Sequence, residues 1–533
     1  MERINLTNIT KTFGDRKLFE ISNLIIQDNE KIGIVGKNGS GKSTFLNIIA
    51  KEIKPDTGNI KINGKLSYIK QLDNISANQN IKISGGEQML KAINTALNEN
   101  PDILLADEPS SNLDIFNIEY LIKKLTNFKG TLLLISHDRE LLNKVCNYII
   151  EIDNGKLTKY TGNYTSYKEQ KENKLSRERF EYEQYIKEKS RLEKAINISK
   201  NTAKSVRKAP KRMGNSEARL HKRESTEIKE KLEGHTKSLE TRLNHLEKKD
   251  KPDENYSIHF VTPESNIIKN KFIVKTDNFS LKMGKKILLD NTSLYIPSNK
   301  KIALIGKNGI GKTSLVKEII NSNNNLSINP NLNIGYFSQN LGNLDENETI
   351  IENLMKDSIQ SETTIRNVLG CLQIKGNKIF DTIKNLSGGE KVKVSISKLL
   401  VSNANFLILD EPTNFLDIEA IEGLEILFKH YKGTILLISH DREFVDNVCD
   451  YTILFKDKKL IQFDGNYSKY LEYENNKKIA KTTSNDKILL EFKLTKLDTE
   501  ISFEKDMNKK LILEEQRKEI LTKLNESKRG TKQ

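Results

Sequence analysis

The chain has 533 residues, which is enough for two or three domains with cores of their own. It contains no run of the ~18 apolar residues that a membrane-spanning helix requires, its first residues lack a signal-peptide pattern, and its three cysteines are too few and too scattered for a disulfide framework or a metal site. The sequence therefore predicts a cytoplasmic protein that does not enter a membrane, and its net charge of +15 favours a polyanionic partner, unless that charge only reflects a lysine-rich composition.

The chain contains an internal repeat. Residues 33–44 (GIVGKNGSGKST) recur as residues 303–314 (ALIGKNGIGKTS), and residues 135–150 recur as residues 438–453. Because the two offsets, 270 and 303, differ by 33, the second copy is the first copy with an insertion of that length. The sequence predicts two copies of one α/β domain.

Each copy contains a glycine-rich phosphate loop, which follows a strand-like run and leads into a helical pattern. In such a loop, glycines let backbone N–H groups wrap around phosphates, and the helix N-terminus adds its partial positive charge. The lysine is expected to reach the β- and γ-phosphates, and the first hydroxyl after it to bind Mg²⁺. The candidate ATP-binding residues are Gly36, Asn38, Gly39, Gly41, Lys42, Ser43 and Thr44 in the first copy, and Gly306, Asn308, Gly309, Gly311, Lys312, Thr313 and Ser314 in the second.

Further along each copy, apolar runs at 103–107 and 406–410 predict buried parallel strands. Each run ends in an Asp-Glu pair. The aspartates, Asp107 and Asp410, are candidate Mg²⁺ ligands, and the glutamates, Glu108 and Glu411, are candidate general bases that polarise the attacking water. An acidic pair can also merely solvate a strand end, but the phosphate loops argue against that interpretation here.

A Ser-Gly-Gly-Glu sequence begins a helical pattern about 20 residues before each Asp-Glu pair. Alone, it would fit any helix cap. Its glycines and serine are candidate ATP contacts because it occurs in both copies at the same place: Ser84, Gly85 and Gly86, and Ser387, Gly388 and Gly389.

In order and spacing, these motifs resemble those of ATP-binding-cassette domains. The resemblance implies that Gln71 and Gln339 are the Q-loop glutamines and that His137 and His440 are the catalytic switch histidines. Phe13 stands where the family places an adenine-stacking aromatic residue, and the second copy has Met283 at that place.

The cassette family also implies a head-to-tail sandwich in which each ATP lies between the phosphate loop of one domain and the signature sequence of the other. One site would combine Lys42, Asp107, Glu108 and His137 with Ser387 and Gly389; the other would combine Lys312, Asp410, Glu411 and His440 with Ser84 and Gly86. Both sites are expected to bind ATP with Mg²⁺. Whether they hydrolyse it equally is open at this point.

Between the copies, residues 170–199 and 226–249 predict two helices of an antiparallel hairpin. The apolar positions with a/d-like spacing are Tyr182, Tyr185, Leu192 and Ile196 in the first helix, and Ile228, Leu232, Leu239, Leu243 and Leu246 in the second. The sequence thus predicts an α/β protein with two P-loop ATP-binding-cassette domains joined by an α-helical hairpin linker.

The turn of this hairpin is basic. Between Lys200 and Arg223 there are nine basic residues and one acidic residue, whereas the stems mix both signs. A single-sign tip on a long arm favours insertion among nucleic-acid phosphates over a flexible solvated loop. The candidate RNA-binding residues are Lys204, Arg207, Lys208, Lys211, Arg212 and Arg219.

Two cassettes joined by such a linker resemble the ABC-F family. The expected domains are 1–168, 169–257 (the linker), 258–474 and 475–533, the last a helical or basic extension with apolar spacing at Leu490, Leu494, Leu497 and Ile501. The family implies a monomer whose cassettes pair with each other. When loaded with ATP, it would occupy the E site of the 70S ribosome and reach towards the P-site tRNA and the peptidyl-transferase centre of 23S rRNA.

The short first copy, the long linker and the C-terminal extension favour the antibiotic-resistance subgroup, which acts against lincosamides, streptogramin A and pleuromutilins. A housekeeping translation factor is the alternative. A transporter motor is disfavoured because 12 residues (72–83) separate Gln71 from Ser84, too few for the helical subdomain that receives a transporter. A DNA-bound cassette ATPase would need zinc modules or very long coiled coils, and the sequence shows neither.

Overall fold

The computed structural model describes residues 1–14, 16–71, 85–111, 113–205, 215–249, 270–321, 326–338 and 343–477. It also describes Phe260, Ile268 and positions 494, 497, 501, 513–519 and 521, and it gives the backbone alone at 16 and 215–225. The predicted candidates Ser84, Arg207, Lys208, Lys211, Arg212 and Gln339 therefore lie outside the described residues, as does Leu490. Leu494, Leu497 and Ile501 are helical and half-buried.

The first cassette alternates strands and helices. Its elements are β1 (Glu2–Phe13), β2 (Arg16–Gln27), β3 (Lys31–Val35), α1 (Lys42–Ile49), β4 (Thr57–Ile62), β5 (Leu66–Ile69), α2 (Gly85–Asn98), β6 (Ile103–Asp107), α3 (Ile115–Asn127), β7 (Thr131–Ile135), α4 (Arg139–Val145), β8 (Tyr148–Asp153) and β9 (Lys156–Thr161). The described strands form one sheet in the order β4-β1-β2-β9-β8-β3-β7-β6-β5.

The second cassette repeats this plan. Its elements are β10 (Phe272–Met283), β11 (Lys286–Pro297), β12 (Lys301–Ile305), α7 (Lys312–Ile320), β13 (Ser327–Ile328), β14 (Ile334–Phe337), α8 (Ile350–Lys356), α9 (Glu362–Cys371), two 3-10 turns (Gly376–Phe380 and Ile383–Asn385), α10 (Gly388–Val401), β15 (Phe406–Asp410), α11 (Ile418–His430), β16 (Thr434–Ile438), α12 (Arg442–Val448), β17 (Tyr451–Lys456) and β18 (Lys459–Phe463). Its sheets have the orders β14-β15-β16-β12-β17-β18 and β11-β10-β13.

The two copies share one fold, as the repeat predicts. In the first, the backbone N–H of Glu20 donates to Gly155 O at 2.9 Å and joins the antiparallel strands to the main sheet; in the second, Asp290 N–H donates to Lys458 O at 3.0 Å at the matching place. The inserted residues of the second copy form α8, α9 and the 3-10 turns, between β14 and α10.

The parallel strands at the centre of each sheet position the functional residues. Strands β6, β7 and β16 are buried along their whole length, which explains why their sequences are continuous apolar runs. Because β3, β7 and β6 are parallel neighbours, the loops that follow them meet at one edge of the sheet. Cys146 and Cys449, which occupy matching positions of the repeat, are buried beside these sheets.

The linker is a helical hairpin, as predicted, with longer helices and one shifted end. It consists of α5 (Tyr164–Ser205) and α6 (Asn215–Asn244), so α6 ends before the predicted residue 249 and Leu246 lies in a turn. The helix α5 begins at the Gly-Asn-Tyr sequence because Asn163 caps it: its side-chain oxygen accepts the backbone N–H of Ser166 at 3.1 Å.

The predicted apolar seam of the hairpin is wrong at Ile228, which is 52% exposed. Buried Ser199 of α5 and Thr236 of α6 meet across the hairpin, with their hydroxyl oxygens 2.8 Å apart. The seam therefore includes a polar pair that apolar spacing does not reveal, and Ile228 is not buried in it.

Among the described residues, no helix combines the length and the apolar character that crossing a bilayer requires.

Candidate active sites

The phosphate loops have the backbone conformations that their glycines allow. Gly36 and Gly41 have φ values of 154° and 96°, and a Cβ on Gly36 would lie 2.5 Å from the carbonyl oxygen of Ile152. Lys42, which follows, is buried, and its Nζ donates to the carbonyl oxygen of Gly36 at 2.7 Å. Lys312 does the same with Gly306 at 2.8 Å.

Burial makes the charge on these lysines costly. It lowers the pKa of Lys42, while the carboxylates of Glu108, Asp417 and Asp107 oppose that shift. Lys312 is in the same situation. An anion placed in the loop would compensate the buried charge, so both loops fit the polyphosphate of ATP.

Each predicted Mg²⁺ pair is assembled. Ser43 hydrogen-bonds Asp107, and Thr313 Oγ1 donates to Asp410 Oδ2 at 3.0 Å. Burial raises the pKa of both aspartates. Asp107 Oδ1 is buried and accepts no hydrogen bond from any described residue, so it is available to a cation.

The described residues contain no cluster of three or more His, Cys, Asp or Glu side chains suited to hold a metal. Two protein oxygens per site do fit Mg²⁺, which keeps several waters and binds substrate phosphates alongside one or two protein groups. The residues present therefore suit an Mg²⁺ that arrives with the nucleotide.

The glutamates follow their strands in a left-handed conformation. Glu108 and Glu411 have φ values of 48° and 53°, which non-glycine residues seldom adopt and which the surrounding contacts must maintain. The backbone N–H of Glu108 donates to Ile135 O at 2.9 Å, and its Oε2 accepts the backbone N–H of His137 at 3.3 Å. These bonds fix the carboxylate beside the switch histidine.

Electrostatics suit each glutamate to act as a base beside a neutral histidine. Glu108 Oε1 lies 3.5 Å from His137 Nε2, and Glu411 Oε1 lies 3.2 Å from His440 Nε2. Burial raises the pKa of both glutamates and lowers the pKa of both histidines to about 3. Within the described part of the chain, the two Oε1 atoms accept no hydrogen bond, so each can accept one from a water molecule.

The phosphate loop of each cassette contacts the other cassette. Asn38 N–H donates to Asp417 Oδ2 at 3.2 Å, and Asn308 N–H donates to Asp114 Oδ2 at 3.2 Å. These aspartates cap α11 and α3 through their second oxygens. The cassettes are therefore engaged head to tail.

At the first site, the signature sequence of the second cassette is part of this contact. A Cβ on Gly389 would lie 3.5 Å from Asn38 Nδ2 and 2.7 Å from the carbonyl oxygen of Phe415. That carbonyl accepts the Asn38 side chain at 2.8 Å, and Phe415 has a φ of 67°. Ser387 forms a capping box with Glu390 at the start of α10.

The second site would use the signature sequence of the first cassette. Gly85 and Gly86 of that sequence begin α2, and its Ser84 lies outside the described residues. Gln71 is exposed just after β5. The two candidate base-stacking residues, Phe13 and Met283, are 55% and 66% exposed, which leaves their apolar surfaces available to a ligand.

Several contacts between the cassettes were not predicted from the sequence. Arg139, which is 1% exposed, forms an ion pair with Glu425 of α11. Ile115 and Ile418, at the starts of α3 and α11, are each buried in the apolar cluster of the opposite cassette. The His-Asp-Arg sequence that both copies carry was a signal for Arg139, whereas nothing local marks the isoleucines.

Comparisons with known proteins agree with this geometry. A family model described as ABC transporter matches residues 19–75 and 289–414, and a second model with the same description matches residues 150–260. The second match covers the whole of α5 and α6.

Relatives match along most of their length. The chain is 32% identical over 477 residues to the erythromycin resistance ATP-binding protein MsrA of Staphylococcus epidermidis, covering 84% of this chain and 96% of that protein. It is 33% identical over 537 residues to the ATP-binding protein Uup of Buchnera aphidicola, covering 90% and 85%. It is 30% identical over 469 residues to the ribosome protection protein VmlR of Bacillus subtilis, covering 84% and 85%.

A solved structure titled RNase-L Inhibitor has a TM-score of 0.55 and 20% identity, and the match covers 84% of this chain and 87% of that chain. At this identity the likeness establishes the fold of a paired-cassette protein. The two cassettes are engaged, each has its phosphate loop and carboxylates in place, and the relatives match over most of the chain. The chain is therefore an ATPase that hydrolyses ATP and belongs to the ABC-F family of ATP-binding-cassette proteins.

Proposed function

We propose that the protein, loaded with ATP, occupies the E site of the 70S ribosome, reaches towards the P-site tRNA and the peptidyl-transferase centre of 23S rRNA, and protects the ribosome from antibiotics of the lincosamide, streptogramin A and pleuromutilin types. The observation that carries this proposal is the linker. The helix α5 has 42 residues, a length of about 63 Å at about 1.5 Å per residue, and it leads from the cassettes, which hold its first two turns, to the basic segment. Two relatives are named for erythromycin resistance and ribosome protection.

The charge of the linker supports a nucleic-acid partner. Stem charges pair between the helices, as in Lys200–Glu240 at 2.7 Å and Arg242–Glu188 at 3.2 Å, and Lys249, just after α6, lies 3.5 Å from Glu181. Beyond the stems, basic residues far outnumber acidic ones. Lys204 lies at the end of α5, and Arg219 is in α6. An unbalanced basic tip binds phosphates with release of counterions.

The sites operate as a pair in a single chain. The buried Lys42 and Lys312 hold the phosphates, and Glu108 and Glu411 polarise water for attack, each with its histidine and with the signature sequence of the opposite cassette. When bound with the nucleotide, Mg²⁺ would neutralise phosphate charge, and Ser43, Asp107, Thr313 and Asp410 would hold it. The domains extend over 1–168, 169–257, 258–474 and 475–533, and the protein acts as a monomer in the cytoplasm.

The first test is sedimentation with ribosomes. A Glu108→Gln/Glu411→Gln variant, which retains ATP, should sediment with 70S ribosomes when ATP is present and not when ATP is omitted. Replacing Lys204, Arg207, Lys208, Lys211, Arg212 and Arg219 by Gln in that background should weaken binding and reduce the salt dependence, by roughly one unit of log–log slope for each phosphate that is no longer neutralised. Absence of the first variant from the ribosomal pellet, or an unchanged salt slope in the second, would contradict the proposal.

A housekeeping translation factor without drug protection is the second candidate, because the chain is as similar to the ATP-binding protein Uup (33% identity), whose name mentions no resistance, as to MsrA (32%). Expression in a susceptible bacterium separates the two. Protection predicts at least a fourfold rise (about two doubling dilutions) in the inhibitory concentration of one of the three drug classes, and loss of that rise with Glu108→Gln/Glu411→Gln, since release from the ribosome requires hydrolysis. Unchanged inhibitory concentrations for all three classes would favour the housekeeping role.

A further inference from the structure

The helix α11 of the second cassette carries a stripe of three carboxylates that faces the first cassette and the linker. Glu419, Glu422 and Glu425 follow one another at intervals of three residues, so they lie along one side of the helix. Each is ion-paired across the contact between the cassettes, and two of the three pair with the base of α5.

The contacts to the linker base are short. Glu422 Oε1 accepts Lys168 Nζ at 2.8 Å and lies 3.4 Å from the Tyr164 hydroxyl oxygen. Glu419 Oε1 accepts Lys171 Nζ at 3.0 Å. Lys171 also donates to Glu151 at 2.7 Å, which fixes it to β8 of the first cassette. The first two turns of α5 are thus bound to both cassettes.

Glu419 also reaches the first phosphate loop. Its Oε2 lies 3.9 Å from Lys37 Nζ, while its Oε1 holds the linker. Two residues earlier, Asp417 accepts the backbone N–H of Asn38 in the same loop. One carboxylate therefore lies between the linker and the loop that holds the phosphates of the first site.

The internal repeat provides a control for this arrangement. At the positions that match Lys168 and Lys171, the helix after the second cassette has Leu471 and Glu474. At the position that matches Glu419, α3 has Phe116, and Lys307 of the second phosphate loop lies over its ring, 6.0 Å from the centroid. The same fold without a linker thus lacks these pairs, so the fold alone does not require them.

We infer that Glu419 and Glu422 are positioning residues that couple the base of the linker to the ATP site of the first cassette, so that the direction of α5 and the geometry of that one site change together. Opening the cassettes at this contact would release the base of α5 from the second cassette. Conversely, a partner that pulls on the linker would act on Lys37 and Asn38 before it acts on the second site. This inference goes beyond the proposed function and does not require that the partner is a ribosome.

The test measures the two sites separately in the full-length protein. In Glu411→Gln, turnover reports the first site, and in Glu108→Gln it reports the second. Glu419→Gln or Lys168→Glu should change turnover of the first site by on the order of fivefold, the most that one surface ion pair is worth, and leave the second within about twofold. The charge-reversed pair, Lys168→Glu/Glu422→Lys, should restore turnover at the first site. If Lys168→Glu acted only by disordering the helix, the second substitution would not restore turnover.

Hydrogen exchange gives a readout that does not depend on turnover. In Glu108→Gln/Glu411→Gln, ATP should protect the amides of both the first phosphate loop and the first turns of α5; adding Glu419→Gln should remove protection from α5 and keep it in the loop. Lys174→Glu is the matched control, because Lys174 is an exposed lysine of α5 that, in the described part of the chain, makes no ion pair with the second cassette. Equal effects on both sites, failure of the reversed pair to rescue, or an effect of Lys174→Glu as large as that of Lys168→Glu would overturn the inference.

Discussion

Replacing Glu108 and Glu411 together by Gln is expected to lower ATP turnover by about 10²- to 10⁴-fold, the usual contribution of a general base, while ATP still binds. Glutamine keeps the shape of the side chain and its bond to the histidine backbone, but it does not accept a proton. It also removes a buried negative charge, whose desolvation raises the pKa of both glutamates. The engaged form should therefore persist once ATP is bound.

Phosphate release and equilibrium binding of ATP, measured on the same preparation, check this expectation. Glu193→Gln, which changes an exposed glutamate of the linker, should leave both quantities at wild-type values. The single variants Glu108→Gln and Glu411→Gln show how much of the turnover each site contributes. Retention of more than about a tenth of wild-type turnover by the double variant would mean that these carboxylates do not activate the water.

Replacing Arg139 by Met is expected to weaken ATP-driven engagement of the cassettes by about 3–5 kcal/mol, the usual cost of removing one partner of a buried ion pair. Burial opposes the charge on Arg139, yet Asp441, Glu425 and Glu443 outweigh it and raise the pKa of the guanidinium. Without Arg139, the carboxylate of Glu425, which is 8% exposed, keeps among the described residues only the contacts with Asn447 at 3.3 Å. An uncompensated buried charge then opposes closure.

Since two nucleotides share this cost, the ATP concentration that half-saturates the Glu108→Gln/Glu411→Gln background should rise about 10- to 100-fold, at 1.4 kcal/mol for each factor of ten. Adding Glu425→Met to Arg139→Met should recover part of the affinity, because replacing both members of a buried pair by apolar groups removes the unpaired charge. Arg442, at the matching position, is more exposed, and its contacts with Glu119 and Glu140 at 3.3 and 3.4 Å are longer. Arg442→Met should therefore raise the concentration less. An equal rise for the two variants would contradict the role given to burial.

The local parts of each site follow from the sequence. A phosphate loop, the Asp-Glu pair and the Ile-Ser-His sequence are each a strand followed by a tight turn, and the chemistry depends on residues that are adjacent in the chain, such as Lys42 and Ser43 or Asp107 and Glu108. Parallel strands β3, β7 and β6 then bring the three turns to one edge. The motifs are therefore evident in the sequence, whereas their assembly into one site was implied by the resemblance to cassette domains and depends on this strand order.

Contacts between distant segments required the structure. The apolar pattern of the hairpin predicted Ile228 in the seam, but the seam depends on which residues of α5 stand opposite α6, and the Ser199–Thr236 pair sets that register. The sequence did not predict the ion pairs of α11 either. In the sequence, Glu419, Glu422 and Glu425 are indistinguishable from a solvated helical face. Only the fold places Lys171, Lys168 and Arg139 against them.

The sequence by itself determined the two cassettes, their duplicated nucleotide chemistry, the helical linker and the sign of its tip, because each depends on residue type and short-range spacing. Only the tertiary structure decided how the copies differ in their surroundings: a carboxylate joins the linker to one phosphate loop, and an aromatic ring stands at the matching place beside the other. The physical reason is that ion pairing depends on the distance between charges, and for residues some 250 positions apart in the chain, such as Lys171 and Glu419, folding alone sets that distance.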